Sequence, residues 1–125
     1  MNIPNNLKYS NDHEWVSVEG NIATVGITDF AQSQLGDIVF LDITTEGETL
    51  NAGDEFGSIE AVKTVAPALM PIGGKIIEVN PELEGAPESV NKDPYGAGWL
   101  IKVEMTNPSE VDSLLDATAY ESICK

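Results

Sequence analysis

Arginine is absent from this 125-residue chain, and all six basic residues are lysines. Cysteine and histidine occur once each, as Cys124 and His13. A single thiol excludes an internal disulfide, and one thiol with one imidazole excludes a His/Cys zinc cluster. A lone cysteine is compatible with a reducing compartment. Cys124, next to the C-terminus, is expected to be a frayed-end thiol. No apolar run approaches the roughly 18 residues of a membrane span. The opening stretch MNIPNNLKYSNDHEW lacks the basic-then-apolar order of a secretory signal and the Arg/Ser richness of a transit peptide. The P-loop, the GxGxxG fingerprint and the GxSxG elbow are all missing. A serine or cysteine nucleophile would have only His13 as its base. Acidic pairs such as Glu46 and Glu48 fall in turns and read as solvated charges. The sequence therefore offers no centre for a free-standing enzyme.

What is present is acid. Asp and Glu number 21, and the net charge is −15. Such a field repels nucleic acid and anionic membranes and favours fast encounter with basic protein surfaces. The acids are scattered rather than blocked, so no disordered acidic tail is indicated. Hydrophobic residues make up 42% and charged residues 22%, which suits one globular domain over residues 1–125.

The stretch 56–80 organises the chain. It has two apolar, β-prone arms, 56–62 and 74–80, and Lys63 stands where the first gives way to the connection. The two arms are expected to be buried strands of one hairpin, with Lys63 projecting from its tip. On geometry alone, such a lysine is an ordinary solvated turn residue. Elsewhere, residues 14–19 and 22–27 alternate apolar with polar about the Glu19-Gly20-Asn21 turn and read as a hairpin. Residues 7–9 could form a short entering strand. Thr28 or Asp29 caps a helix through Leu35, with Asp29 and Gln32 at capping-box spacing and Gly36 as its left-handed stop. Residues 37–43 (DIVFLDI) are expected to be a well-buried strand. Residues 44–54 read as turns around a short strand, and 81–98 as a long surface loop. Residues 99–104 alternate again. Ser109 starts a short helix through Leu115, and Asp116 caps a last one to about Ile123. Many short strands with frequent turns predict a mainly β sandwich or barrel, with short helices between strands and at the C-terminus.

The order and spacing of several blocks carry a whole-chain resemblance. They are His13-Glu14-Trp15, Val25-Gly26-Ile27-Thr28, Ala31-Gln32 and Leu35-Gly36-Asp37. Then come Phe56-Gly57, Glu60, Val62-Lys63, Pro71, Gly73-Gly74 and Glu78-Val79-Asn80-Pro81-Glu82-Leu83. The last are Val90-Asn91, Asp93-Pro94-Tyr95-Gly96 and Gly98-Trp99-Leu100-Ile101-Lys102-Val103. In these the chain resembles the glycine cleavage H-protein family. The resemblance implies a barrel-sandwich hybrid related to lipoyl domains, with lipoate in amide linkage on Lys63. It implies a carrier, not an enzyme. In the family the arm receives an aminomethyl group from a pyridoxal-phosphate glycine decarboxylase. A tetrahydrofolate-dependent aminomethyltransferase takes the one-carbon unit, and a dihydrolipoyl dehydrogenase reoxidises the dithiol. A lipoate-attaching enzyme is the fourth implied partner.

Residue by residue, the resemblance assigns lipoylation recognition to Glu60, Val62 and Gly74, with Gly74 closing the hairpin. It assigns docking of the arm to Glu14, Asp12 and Gln34. Val62 and Thr64 flank the lysine where biotinyl domains place methionines, which disfavours biotin. The resemblance weakens after the lysine. Ala66 and Pro67 stand where the family usually has Ser and Asp, Ala61 where it has Ser, Gln34 where it often has His, and Asp12 where it often has Ser. The loaded arm is therefore expected to dock differently than in typical members. An H-like lipoate relay outside glycine cleavage and a non-lipoylated interaction domain are the alternative readings. Family members are commonly monomeric. The start at Met1 suggests the bacterial cytoplasm, with a mature mitochondrial matrix chain as the other option.

Overall fold

Period-two patterning builds the strands. Residues Ile101–Met105, the last strand in the chain, bury Ile101, Val103 and Met105 and set Lys102 and Glu104 on the opposite side. The computed structural model describes residues 2–124. In chain order the strands are β1 (Lys8–Tyr9), β2 (Glu14–Glu19), β3 (Ile22–Ile27), β4 (Ile38–Asp42), β5 (Thr49–Leu50), β6 (Glu55–Ala61), β7 (Val65–Leu69), β8 (Gly74–Val79) and β9 (Ile101–Met105). The helices are α1 (Asp29–Leu35), α2 (Ser89–Lys92) and α3 (Ala117–Glu121), with 3-10 turns at Pro81–Glu84 and Pro108–Ser113. One sheet runs β1-β2-β3-β9-β8-β5 and the other β4-β6-β7, with every pairing antiparallel. This is the mainly β barrel-sandwich hybrid, with its short helices between strands and at the C-terminus.

The main core lies between the sheets. Val16, Val25, Ile76 and Val103 of the large sheet meet Ile38, Phe56, Ile59 and Ala68 of the small one. Burying each of the Val, Ile and Phe side chains among these contributes roughly 1.5–3 kcal/mol. A second cluster covers the outer face of β1 and β2, where Leu7, Tyr9 and Trp15 pack on Ala117, Tyr120 and Cys124. Tyr9 and Tyr120 stack with ring centroids 4.6 Å apart. Cys124 is thus a buried packing residue, which corrects the frayed-end expectation. The same cluster explains why Glu14, Trp15 and Val16 are all buried although β2 alternates in sequence. Both faces of that strand are covered at its start.

Three other expectations are corrected. The arms 56–62 and 74–80 do not pair with each other. Instead β6 pairs with β7, and β8 lies in the large sheet between β5 and β9. The strand at 37–43 is an edge, with Val39 and Phe40 about half exposed, because a register shift between Ile38 and Phe40 breaks its alternation. The loop at 81–98 is partly ordered into a 3-10 turn and α2, which bury Leu83 and Val90 in the main core.

Thr28 caps α1, its Oγ1 accepting the Ala31 N–H at 3.1 Å, and Gly36 ends the helix at φ 79°. Asp29 serves otherwise: its Oδ1 accepts the Gln32 side chain at 2.7 Å. Asp116 caps α3 through the Ala119 N–H at 2.8 Å.

Candidate functional site

Lys63 stands at the tip of the β6–β7 hairpin. The pairs Ile59 with Ala66 and Glu60 with Val65 bring the strands to a two-residue turn of Val62 and Lys63. The Ala61 N–H donates to the Thr64 carbonyl at 2.8 Å and closes the turn. The Val62 N–H donates to the Asp37 carbonyl at 2.9 Å and braces the tip from the small sheet's edge. Val62 is 74% exposed, and Lys63 is exposed beside it. Glu60 is half-buried, flanked in register by Phe40 and Val65.

The lysine stem lies against the end of α1. A Cβ added to Gly36 would stand 3.4 Å from Lys63 Cε and 3.8 Å from Nζ. The backbone beneath is held by Asn91, whose Nδ2 donates to the Gly36 carbonyl at 2.8 Å and to Gln32 Oε1 at 2.9 Å. Asn91 Oδ1 accepts the Ile38 N–H at 2.9 Å. One side chain from α2 thus ties the end of α1 to the start of β4.

A groove of about 360 Å³ is lined by both sheets and α1. Ile27 comes from the large sheet and Ile59, Ala66 and Pro67 from the small one, while Phe30, Ala31, Gln34 and Leu35 come from α1. Its walls are mostly apolar, and its polar end is Asp12, His13 and Glu14. Leu35 in the wall is the sequence neighbour of Gly36, beside which the Lys63 stem lies; Lys63 itself is not part of the lining.

Glu14 is 3% exposed. Ser10 Oγ donates to Glu14 Oε1 at 2.6 Å and accepts the backbone N–H groups of Glu14 and Asp12 at 3.1 and 3.2 Å. The hydroxyl thereby uses its one donor and both acceptor sites. Burial pushes the Glu14 carboxyl up from its ordinary 4.5 to about 8; the Asp12 charge adds to this, while the Ser10 hydroxyl and the Leu69 backbone oppose it. His13 between them has φ 68°, the single non-glycine residue with positive φ among the described residues. Its ring lies 4.9 Å from that of Phe30. Burial lowers its basicity, partly offset by the Asp12 charge.

The structure therefore brings Glu14, Asp12 and Gln34 together in one groove, beside the turn that carries Lys63. Gly74 lies apart, in β8. There a Cβ would collide with the Glu104 carbonyl oxygen and stand 2.6 Å from Val103 Cγ1, so close approach to β9 demands glycine. Ser10, Thr28, Asn91 and Tyr120 were not singled out as site residues by the sequence reading. Asn91 and Thr28 sit within blocks of the whole-chain resemblance, and no local pattern marks Ser10 or Tyr120.

The family model described as Glycine cleavage H-protein matches residues 7–125. A glycine cleavage system H protein of Bacteroides thetaiotaomicron is 60% identical over 123 residues, covering 98% of each chain. That of Bacteroides fragilis is 58% identical over 123 residues, again covering 98% of each. The crystal structure of a glycine cleavage system H protein from Mycobacterium marinum superposes with a TM-score of 0.87 at 40% identity. The match covers 96% of this chain and 97% of that one.

Proposed function

Because the chain belongs to the glycine cleavage H-protein family, a carrier component rather than an enzyme, we propose that it bears lipoate on Lys63. In this reading it shuttles the aminomethyl group from the pyridoxal-phosphate glycine decarboxylase to the tetrahydrofolate-dependent aminomethyltransferase. Dihydrolipoyl dehydrogenase completes the cycle, and a lipoate-attaching enzyme loads the chain, reading Glu60, Val62 and Gly74. The carrier acts as a monomer in the bacterial cytoplasm, in keeping with its bacterial relatives.

The observation that carries the reading is the placement of Lys63. It projects from an exposed two-residue turn, and its stem lies beside Gly36, the residue that follows the groove-lining Leu35. The residues fit a lipoyl group. An acyl group on Nζ would start beside the Gly36 turn, and Ile27, Phe30, Leu35 and Ile59, with the buried Glu14 carboxyl, would be the residues to hold it. The group when bound supplies a dithiolane on a flexible arm, which takes up and releases the one-carbon unit at the partner enzymes.

The chain's own residues present and shelter. Asp37 and Thr64 fix the turn through the backbone. Apolar walls exclude water from whatever lies between them. Glu14, with its proton retained by burial near neutral pH, is a neutral hydrogen-bonding group while the groove holds no charge. A cationic amine held beside it would favour the carboxylate, with the Glu14 proton passing to solvent and the carboxylate available to pair with the cation. Ala66 and Pro67 offer no side-chain polar atom on the β7 side. The polar contacts of the groove are thus confined to the Asp12–Glu14 end and Gln34.

The test is the intact mass of protein treated with a lipoate ligase and lipoate. A single lipoyl gain that disappears in Lys63→Ala is expected. No gain, or a gain that survives the substitution, overturns the carrier reading. Glycine–bicarbonate exchange with the cognate decarboxylase then tests the cargo, and a lipoylated chain that supports no exchange would point to a lipoate relay instead.

A further inference from the structure

One buried hydroxyl touches both walls of the groove. Tyr120 Oη lies 2.8 Å from His13 Nδ1 and 2.6 Å from Thr28 Oγ1. His13 belongs to the polar end of the groove. Thr28 is the N-cap of α1, whose side chains form the opposite wall. Tyr120 comes from α3, remote in sequence from both, and is itself fixed by its stack on Tyr9. The backbone repeats the tie, since the Thr28 N–H donates to the His13 carbonyl at 3.1 Å.

The protons in this chain of groups can be placed. Thr28 is fully buried, and its Oγ1 already accepts the Ala31 N–H at 3.1 Å. If Tyr120 donated to Thr28, the threonine proton would be left with no acceptor among the described residues. A buried hydroxyl proton without a partner bears its full desolvation penalty. If Thr28 donates to Tyr120, and Tyr120 donates to His13 Nδ1, every proton has an acceptor; the Cys124 sulfur, the other partner beside the phenol, is a weaker acceptor than the imidazole nitrogen. The imidazole is then unprotonated at Nδ1 and carries its proton on Nε2. No other side chain pairs with Nε2 among the described hydrogen bonds, so that N–H is the ring's free polar group at the groove.

We propose that Tyr120 is a positioning residue of the groove, holding His13 as the Nε2–H tautomer through the relay Thr28 to Tyr120 to His13. The polar end of the groove then presents two different groups side by side: a fixed N–H donor on His13 and the buried Glu14 carboxyl. The turn holding His13 at φ 68° fits this role, because such a conformation persists only where its surroundings enforce it. Desolvation of the ring works in the same direction, since it favours the neutral imidazole. The consequence for a docked arm, a donor aimed at a hydrogen-bond acceptor such as a sulfur or carbonyl oxygen, rests on the reading of Lys63 above. The tautomer itself does not.

His13 is the only histidine in the chain, so its ring nitrogens can be read without assignment. Long-range 15N–1H correlation spectra of the unlipoylated protein at neutral pH are the test. Wild type is expected to show an unprotonated Nδ1 and a protonated Nε2. Tyr120→Phe keeps the ring that stacks on Tyr9 and should shift His13 toward a mixture of tautomers or an averaged signal. Thr28→Ser keeps the relaying hydroxyl and should retain the wild-type pattern, whereas Thr28→Val removes it and should disturb the pattern as Tyr120→Phe does. A protonated Nδ1 in wild type overturns the relay, and so does a Tyr120→Phe spectrum identical to wild type. Near-ultraviolet circular dichroism checks that each variant is folded. Failure to lipoylate Lys63 would remove the proposed function and leave these spectra unchanged, so the two failures are distinguishable.

Discussion

Glu14 is the residue on which the electrostatics of the site turn. Its folded value is raised, so the native state holds a proton that the unfolded chain has already lost between about pH 4.5 and 8. The contribution to stability is fully present below that window and is lost as pH rises through it. Wild type is therefore expected to lose roughly 2–4 kcal/mol between pH 5 and 9 that Glu14→Gln does not lose. Urea denaturation of both proteins across that range measures the difference, and parallel pH profiles would refute it. The role of Glu14 as a groove residue was visible in the sequence only through the resemblance of His13-Glu14-Trp15. Its burial was not, because a strand-end glutamate is normally solvated. What buries it is Ser10 folding back over it and the second cluster packing beneath Trp15. Neither contact has a local sequence signature.

At the scale of elements, the β6–β7 hairpin carries the lysine, and α1 with α2 supports its foot. Asn91 makes three hydrogen bonds there. Asn91→Ala should cost about 2 kcal/mol by leaving the Gly36 carbonyl and the Ile38 N–H without their partner. It should also raise hydrogen exchange at Ile38 relative to β9, which mass spectrometry can localise. Gly36→Ala places an L-residue at φ 79° and is expected to cost about 1–2 kcal/mol in urea denaturation, with the new methyl in contact with the Lys63 stem. The hairpin also shows where sequence reading ran out. β2, β3 and the last strand declared themselves by alternation. β7 did not, because Val65-Ala66-Pro67-Ala68-Leu69 contains a proline and two alanines, residues that do not favour strands. The structure places it at a sheet edge, where a missing N–H is tolerated. With β7 unmarked in sequence, the apolar arms 56–62 and 74–80 look like partners, whereas β7 stands between them along the chain and takes up β6. The exposed Phe40 was misjudged for a related reason. DIVFLDI has the composition of a buried strand, but β4 has a neighbour on one side only.

For the whole molecule, the net charge of −15 is its most general property. Under the proposed function, association with each partner enzyme should be slowed by added salt, since steering by a field of one sign is screened within about 10 Å at 0.1 M ionic strength. The Michaelis constant of the exchange reaction for the carrier should rise several-fold between 20 and about 300 mM salt. A flat salt profile would show that the charge serves solubility alone. The second cluster gives another whole-molecule test. Cys124 packs against the tyrosine stack at the chain's end, so its alkylation should be slow in the native protein and should track global unfolding in denaturant.

The groove is shared between the sheets. Lys63 rides on the small sheet and Glu14 on the large one, with α1 as the covalent link nearest to both. An arm anchored at the first and seated at the second would act as a removable cross-brace between the two layers, added to the core they already share. Seating and release would then be mechanical events for the whole sandwich. Amides of β2 and of the β6–β7 hairpin should stiffen together when the brace is in place and relax together when it leaves.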